Sequence, residues 1–309
     1  MWDKTNMPNR SLVVALGFFD GVHRGHAELI NMAKQRAEEL EAEPAVLSFD
    51  VNPESVVKGK SIPLISNTET RADTISRFFD IERVIIYHFD KYIMSMPWQQ
   101  FIDSLIKDFT AVHFVIGHDF NCGYKGEGNA EKIVEYCDSL GVGCDIIPKI
   151  MLNGITISST YIRTLISSGE IEKANLFLGH PYTITGTVKE GFKLGRRIGT
   201  PTINFIVTDE MLLPQKGVYA SKVVFDDTER YSVTNIGVRP TFGTQGEITV
   251  ETHILDFEGD LYKKFIRVDF YKFIRPEKKF ISINELSRQI EKDIDEAKKY
   301  LSKYDTEPF

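Results

Sequence analysis

The first 150 residues alternate short apolar runs with longer segments in which apolar positions recur every three to four residues. The apolar runs are rich in β-branched and aromatic side chains and predict strands at residues 12–18, 44–49, 83–89, 113–120 and 145–151. The periodic segments predict helices at residues 26–41, 68–79, 97–109 and 129–140. Strands that alternate with helices form a parallel sheet, which binds ligands beyond the carboxyl ends of its strands.

The pattern changes after about residue 183. Runs rich in threonine and β-branched residues, joined by turns, predict strands at residues 183–189, 201–207, 218–225, 230–237, 248–257 and 265–274. Successive hairpins of this kind indicate a small antiparallel barrel or sandwich. Two short helices are predicted before these strands, at residues 159–167 and 170–178, and one long helix after them, at residues 282–304.

The two patterns together predict an α/β plus β protein. We expect a Rossmann-like domain with a parallel sheet at residues 1–182, and a small antiparallel β-barrel with a terminal helix at residues 183–309. A length of 309 residues fits two domains that each bury a core of their own.

The composition is that of a globular protein, with 42% hydrophobic residues and a net charge of −7 from 37 basic and 44 acidic side chains. The acidic balance argues against a nucleic-acid partner, because such binding depends mainly on basic side chains. No apolar run approaches the ~20 residues of a membrane helix, and no signal pattern opens the sequence. Three cysteines are too few for a disulfide framework. We therefore expect a cytoplasmic protein without a membrane partner.

The first candidate site follows the first predicted strand, in the string Gly17-Phe18-Phe19-Asp20-Gly21-Val22-His23-Arg24-Gly25-His26. Glycines let the backbone approach a ligand closely, and the N-terminus of the next helix suits phosphate. Two imidazoles there can donate hydrogen bonds to a phosphoryl group in transfer. A zinc site is an alternative, although no third ligand is evident nearby, and the histidines can also be ordinary residues of a helix start.

A second string lies downstream, Ile157-Ser158-Ser159-Thr160-Tyr161-Ile162-Arg163. It can cap the next helix and gather hydroxyls, N–H donors and a guanidinium around an anion. By itself, the string is only a helix cap.

A third string enters the first strands of the predicted barrel, Gly195-Arg196-Arg197-Ile198-Gly199-Thr200-Pro201-Thr202-Ile203-Asn204. The backbone of such a glycine-rich, basic loop can cradle phosphates, and a hydroxyl and an amide at its end can help to place Mg²⁺. No complete Gly-x-x-x-x-Gly-Lys-Ser/Thr string of a P-loop kinase occurs in the chain, because Gly59-Lys60-Ser61 has Glu54 in place of the first glycine. Taken alone, this loop can equally be a structural turn.

The first two strings together resemble the paired signature of the HxGH nucleotidyltransferase superfamily. With the third string, the chain resembles the bifunctional bacterial riboflavin kinase/FAD synthetase family from about Leu12 to Asp293. The resemblance implies that His23 and His26 stabilise the ATP phosphates during adenylyl transfer. It implies further ATP contacts on the same side from Gly17, Phe18, Phe19, Asp20 and Gly25. It assigns the other side of the triphosphate to Ser159, Thr160 and Arg163.

The resemblance also implies a flavin site in the first domain. The family's Gly-x-Asp-Phe-x-Phe-Gly element is similar to residues 117–123, with Cys122 in place of the second phenylalanine. Its Thr-Phe-x-Pro-His-Pro element is similar to residues 48–53, with Val51 and Asn52 as departures. Flavin contacts are implied for Asn52, Asp119 and Phe120.

For the barrel, the resemblance implies a riboflavin kinase site. It assigns Thr202 and Asn204 to Mg²⁺ and the ATP phosphates, and it assigns Gly195, Arg196 and Pro201 to ATP. Glu251 would be the base that takes the proton of the ribityl 5′-hydroxyl, a role that a carboxylate within hydrogen-bond reach can perform. Without the motif, Glu251 is an exposed carboxylate on a strand.

The resemblance therefore predicts an enzyme that phosphorylates riboflavin to FMN and adenylylates FMN to FAD, with ATP and Mg²⁺ in both steps. One alternative is a riboflavin kinase whose adenylyltransferase domain is weakened by the departures at Asn52 and Cys122. Another is a nucleotidyltransferase with a different acceptor, such as a sugar phosphate or pantetheine phosphate. A third is a barrel that senses flavin or binds nucleic acid without catalysis. We expect a monomer or a weak homo-oligomer.

Overall fold

The computed structural model describes residues 10–189, 201–208, 210–238 and 248–307. The chain forms two compact units, the first from Met1–Ile62 and Asn67–Ser158, the second from Pro63–Ser66 and Ser159–Phe309. The two short helices before residue 183 thus lie in the second unit, and the domain boundary at 182/183 stays a prediction.

The first unit is an α/β domain, as predicted. Its main sheet has five parallel strands in the order β3-β2-β1-β4-β7, and two short hairpins accompany it. The strands are β1 (Leu12–Leu16), β2 (Glu43–Phe49), β3 (Arg83–Tyr87), β4 (Ala111–Gly117), β5 (Asn121–Cys122), β6 (Gly128–Asn129), β7 (Gly143–Ile147), β8 (Met151–Leu152) and β9 (Ile155–Thr156). The helices are α1 (Arg24–Glu39), α2 (Pro53–Lys58), α3 (Thr68–Phe79), α4 (Lys91–Ser95), α5 (Trp98–Phe109) and α6 (Ala130–Ser139).

The central strand β1 is covered on both faces, because its side chains alternate between two cores. Leu12, Val14 and Leu16 pack into a core that includes Phe101 of α5 and Ile133 of α6. The other face packs against α1 and α3 through a set of buried residues that includes Val13, Ala15, Ile30, Ala33 and Ile75. This two-sided burial explains why the predicted strands are almost continuously apolar.

The second unit contains a closed barrel of six antiparallel strands, in the order β10-β11-β14-β13-β12-β15. The sequence left a barrel and a sandwich open, and the structure has the barrel. The strands are β10 (Tyr182–Lys189), β11 (Thr202–Ile206), β12 (Gly217–Phe225), β13 (Thr228–Val238), β14 (Ile248–Ile254) and β15 (Phe265–Arg275). The helices are α7 (Ser159–Ser167), α8 (Ile171–Leu178) and α9 (Ile283–Thr306).

The barrel interior includes a buried row of hydroxyl groups. Ser221 is hydrogen-bonded to both Ser232 and Thr234, and Thr234 is bonded to Thr252. Each hydroxyl therefore has a partner in a place that water does not reach. The terminal helix α9 packs on the outer face of β12, β13 and β15.

Several element ends differ from the predicted ones. Helix α1 begins at Arg24, two residues earlier than predicted, because a histidine caps it. Helices α2 and α4 were not predicted, since five or six residues are too few to show a helical period. Of the predicted site residues, Gly195 and Arg196 lie outside the described residues.

Candidate active sites

The string that follows β1 forms the start of α1. His23 is the N-cap residue and is 7% exposed, and His26 lies in the first turn. Nδ1 of His23 accepts a hydrogen bond from the backbone N–H of His26, and Nδ1 of His26 accepts one from the N–H of His23, both at 3.2 Å. The two rings are stacked with their centroids 3.5 Å apart.

This reciprocal cap determines the tautomer of both imidazoles. A backbone N–H can only donate, so each Nδ1 carries no proton and the proton of a neutral ring lies on Nε2. The cap itself does not engage the two Nε2–H groups, which are donors suited to phosphate oxygens. Gly25 permits the arrangement, because a Cβ atom at this position would lie 3.2 Å from the His23 ring.

His26 is a neutral imidazole at pH 7 in the free protein. Burial holds its pKa well below 6.5, and the nearby His23 and Arg71 lower that pKa further. A bound triphosphate would oppose this shift, since negative charge favours the protonated ring. The free site therefore offers phosphate a neutral donor at this position.

The loop between β1 and α1 adopts an uncommon backbone conformation. Phe19, Gly21 and Val22 have φ angles of 56°, 78° and 42°. For the β-branched Val22 this conformation is strained, and the side chains of Phe19 and Val22 are fully buried, which holds the loop in place. Asp20, between them, is 2% exposed. Strained loops of this kind cluster at ligand-binding sites.

The residues predicted to contact flavin follow β2 and β4. Asn52 comes after β2, is 7% exposed and caps α2, where its Oδ1 accepts a hydrogen bond from the N–H of Glu54 at 2.9 Å. After β4, Asp119 is exposed and Phe120 is half-buried. Strands β2 and β4 flank β1 in a parallel sheet. These residues and the imidazole pair therefore lie at the same end of the sheet, where the strands have their carboxyl ends. Their contact with a flavin stays a prediction.

Cys122, at the position of the family's phenylalanine, packs against the apolar core that contains Phe114. Burial raises the pKa of its thiol to about 12, and the thiol is therefore neutral at pH 7. An uncharged side chain is thus kept at this position.

The second string opens α7, in the second unit. Ser159 and Thr160 are the first residues of the helix, and Arg163 lies one turn further on. Nε of Arg163 donates a hydrogen bond to the carbonyl oxygen of Pro63 at 2.9 Å. That this string and the imidazole pair meet around one triphosphate stays a prediction.

Three polar side chains form a row on the outer face of the barrel. Asn204 of β11 lies opposite Glu251 of β14, and Glu251 lies opposite Asn235 of β13. Directly opposite residues of antiparallel strands project to the same face. Val233, two residues before Asn235, packs against the outer helix α9, so the row also faces outward.

Asn204 has the properties of a Mg²⁺ ligand. Its Oδ1 atom is buried and has no hydrogen-bond partner among the described residues. An unsatisfied buried acceptor costs about 1–3 kcal/mol, which a bound cation would recover. Thr202 lies on the same face of β11 and adds a hydroxyl. In the described ranges no group of three or more His, Cys, Asp or Glu could hold a metal, so the phosphates of ATP would have to supply further oxygen ligands.

Asn235 of this row and His253 next to it were not predicted as site residues. Asn235 lies opposite Glu251, and His253 donates a hydrogen bond from Nδ1 to the carbonyl oxygen of Pro201 at 2.8 Å. His253 thereby holds the chain where it enters β11. Their places depend on the register between strands, which could have been found only by pairing the predicted hairpins.

Comparison with known proteins also divides the chain into two parts, each matched by a different family model. The family model described as FAD synthetase matches residues 5–161, and that described as riboflavin kinase matches residues 178–301. A bifunctional riboflavin kinase/FMN adenylyltransferase of Bacillus subtilis is 38% identical over 94% of this chain and 92% of its own length. A protein of the same name from Listeria monocytogenes is 36% identical over 94% of this chain and 93% of its own length.

A solved structure supports the fold of the whole chain. The crystal structure of a protein described as a macrolide-efflux protein from Streptococcus pneumoniae has a TM-score of 0.83 and 28% sequence identity, and the match covers 96% of this chain and 97% of that one. No helix in the described part of the chain combines the length and the apolar character that a membrane span requires.

The predicted resemblance and fold class are thus confirmed. Because both domains are present and the curated relatives are named for two activities, the alternative of a riboflavin kinase alone is not favoured. The chain belongs to the family of bifunctional riboflavin kinase/FMN adenylyltransferases, with an FAD synthetase domain followed by a riboflavin kinase domain.

Proposed function

We propose that this protein converts riboflavin into FMN and FMN into FAD, with ATP as the co-substrate of both steps. The observation that carries the proposal is the presence of an FAD synthetase domain and a riboflavin kinase domain in one chain. Each domain also has polar groups of the kind that its reaction needs.

In the first domain, a phosphate oxygen of FMN attacks the α-phosphorus of ATP, and pyrophosphate leaves. The Nε2–H groups of His23 and His26 donate hydrogen bonds to the phosphate oxygens on which negative charge develops. The N-terminus of α1 adds its dipole and backbone donors. Further donors to the triphosphate come from Ser159, Thr160 and Arg163. The flavin contacts come from Asn52, Asp119 and Phe120.

In the barrel, the ribityl 5′-hydroxyl of riboflavin attacks the γ-phosphorus of ATP, and ADP leaves. Glu251 accepts the proton of that hydroxyl. Thr202 and Asn204 would hold Mg²⁺, which would neutralise negative charge on the ATP phosphates. The unsatisfied Oδ1 of Asn204 supports this assignment.

We place the protein in the cytoplasm, as a monomer or weak homo-oligomer that binds small molecules and no nucleic acid. The three cysteines are free thiols, which fits a reducing compartment. The net charge of −7 supports the absence of a nucleic-acid partner.

The first test is an endpoint assay of the purified protein with riboflavin, excess ATP and Mg²⁺, in which the flavins are separated by chromatography. FAD is the expected product. FMN alone would support kinase activity without adenylyltransferase activity. Asn52 and Cys122 would then be the first positions to change to the histidine and the phenylalanine of the family elements. If riboflavin and added FMN both remained unchanged, the proposed function would be wrong.

Two substitutions test the division of labour. His26→Ala is expected to abolish FAD formation and to leave FMN formation nearly intact. Glu251→Ala is expected to abolish FMN formation, while FAD still forms from added FMN, because loss of a general base costs roughly 10²–10⁴-fold in rate. A folded variant that lost both activities would contradict the assignment of one site to each domain.

A further inference from the structure

A buried charge that lies in none of the motifs contacts the loop after β1. Arg71 of α3 is 0% exposed, although arginine is almost never fully buried without partners. Its Nη1 donates a hydrogen bond to the carbonyl oxygen of Phe18 at 3.0 Å, and its Nη2 donates one to that of Phe49 at 2.6 Å. Its guanidinium also lies 4.4 Å from the centre of the Phe18 ring. One side chain thus joins the carboxyl ends of β1 and β2.

The bond to Phe18 sets the direction of the next peptide N–H. The Phe18 carbonyl oxygen accepts hydrogen bonds from Arg71 and from the hydroxyl of Ser48 at 2.7 Å. In a planar trans peptide the C=O and N–H groups point in opposite directions, so the N–H of Phe19 points away from these two donors. Among the described residues this N–H has no hydrogen-bond acceptor. Phe19 is 0% exposed, so this N–H is a buried donor without a partner, which a phosphate bound against the loop would satisfy.

Arg71 also balances negative charge at this edge of the sheet. Burial lowers the pKa of its guanidinium to about 10, and the carboxylates of Asp20 and Asp50 oppose that shift. Arg71 is therefore a cation at pH 7. Asp50 has a second partner in His88, whose Nδ1 lies 2.6 Å from its Oδ2. Without Arg71 the electrostatic potential next to the loop would become more negative, and this would oppose the binding of a triphosphate.

We propose that Arg71 is a positioning residue for adenylyl transfer, which holds the Phe18–Phe19 peptide so that its N–H faces the ATP phosphates and which balances the charge of that loop. The inference rests on the proposed adenylyltransferase activity of the first domain. Since Ser48 keeps one bond to the Phe18 carbonyl, removal of Arg71 loosens this peptide while the buried side chains of Phe19 and Val22 still hold the loop.

The test compares R71M and R71K with R77M, which removes an arginine from a more exposed position of the same helix. R71M is expected to lower kcat for FAD formation from FMN by roughly tenfold or more and to raise KM for ATP, because a displaced loop misaligns the phosphates. R71K is expected to be intermediate, since an ammonium keeps the charge but lacks the planar fork. R77M is expected to keep both constants within about twofold of the wild type.

The KM for ATP separates positioning from mere stability. A structural role would lower the fraction of active protein, and hence kcat, and would leave KM unchanged. The riboflavin kinase rate reports the folding of the second unit. Tryptophan fluorescence reports that of the first, because both tryptophans of the chain, Trp2 and Trp98, precede residue 159. Folded R71M with the wild-type KM for ATP overturns the inference. If R71M does not fold, R71K with wild-type kcat and KM overturns it.

Failure of the proposed function would give a different result, because the wild-type protein itself would then make no FAD. Hydrogen exchange in peptides that cover residues 17–23 then tests Arg71 by itself. Exchange is expected to be faster in R71M and R71K than in R77M. Equal exchange in the three variants overturns the inference.

Discussion

At the residue scale, the histidine pair does two things with one set of atoms. Serine, threonine, aspartate or asparagine usually caps a helix, but here the Nδ1 atoms of His23 and His26 satisfy two backbone donors at the start of α1, the N–H groups of His26 and His23. The same bonds hold both protons on Nε2. The spacing of the string follows from this geometry, because reciprocal capping needs residues three apart and the ring of His23 needs a residue without Cβ at Gly25.

Gly25→Ala is therefore expected to separate stability from activity. Alanine in place of glycine favours a helix by up to about 1 kcal/mol, which offsets the cost of the close contact with His23, so the stability of the first domain should change little. The new Cβ would push on the His23 ring and tilt its Nε2–H away from the phosphates. We expect FAD formation to fall roughly tenfold while FMN formation is unchanged, as measured by chromatography of the flavins. Unchanged FAD formation would contradict the role of the ring orientation.

The low pKa of His26 also predicts how stability depends on pH. In the unfolded chain this imidazole titrates near 6.5, and in the folded protein it titrates well below that value. Between the two pKa values the unfolded state binds more protons, so this group makes the folded state less stable as the pH falls below 6.5. The loss is at most about 1.4 kcal/mol per pH unit.

His26→Gln is expected to remove this part of the pH dependence. The measurement is the free energy of unfolding in urea at pH 5, 6 and 7, followed by tryptophan fluorescence. His88→Gln is the control, because Asp50 raises the pKa of that exposed imidazole, and its contribution to stability is lost as the pH rises. That control should therefore keep or steepen the wild-type slope. An unaltered slope in His26→Gln would show that His26 is protonated normally in the folded protein.

At the element scale, the terminal helix α9 is buried against the barrel over only part of its length. The apolar residues Leu286, Ile290, Ile294 and Leu301 extend along most of the helix. The buried side chains of α9 are instead Asp293, Ala297 and Leu301, which lie from its middle towards its C-terminal end. Asp293 is buried because Arg275, at the end of β15, donates to both of its carboxylate oxygens. An ion pair thus fixes the middle of the helix, and apolar packing fixes its end.

Leu301→Ala is expected to destabilise the barrel by about 2–5 kcal/mol, because it leaves a cavity between α9 and the sheet. The measurement is the midpoint of thermal inactivation of FMN formation. Lys299→Ala, at an exposed position of the same helix, is the matched control and should leave that midpoint nearly unchanged. Equal midpoints for the two variants would mean that α9 does not stabilise the kinase domain.

At the scale of the whole molecule, the sequence predicted the architecture better than the geometry of its sites. Strands buried on both faces and hairpins with short turns have patterns that show in one dimension, and both parts of the fold follow from them. The cap by His23, the row that Asn235 forms with Glu251 and the burial of Arg71 do not show in this way. The row and the burial of Arg71 depend on atoms that the fold brings together from distant segments, and the cap depends on the side-chain orientations of two neighbouring histidines. Whether the two phosphate strings of the first site meet stays a prediction for the same reason.

The separation of the two sites predicts that the activities can be divided between two molecules. A mixture of the His26→Ala and Glu251→Ala proteins should convert riboflavin into FAD, because FMN made by the first protein can be released and adenylylated by the second. FAD should appear after a lag in which FMN accumulates, and the lag should shorten as more Glu251→Ala protein is added. The protein with both substitutions is the control and should produce neither flavin. If the mixture made FMN but no FAD while Glu251→Ala still adenylylated added FMN, the kinase site of the His26→Ala protein would not release its FMN, and the predicted transfer of FMN through solution would be wrong.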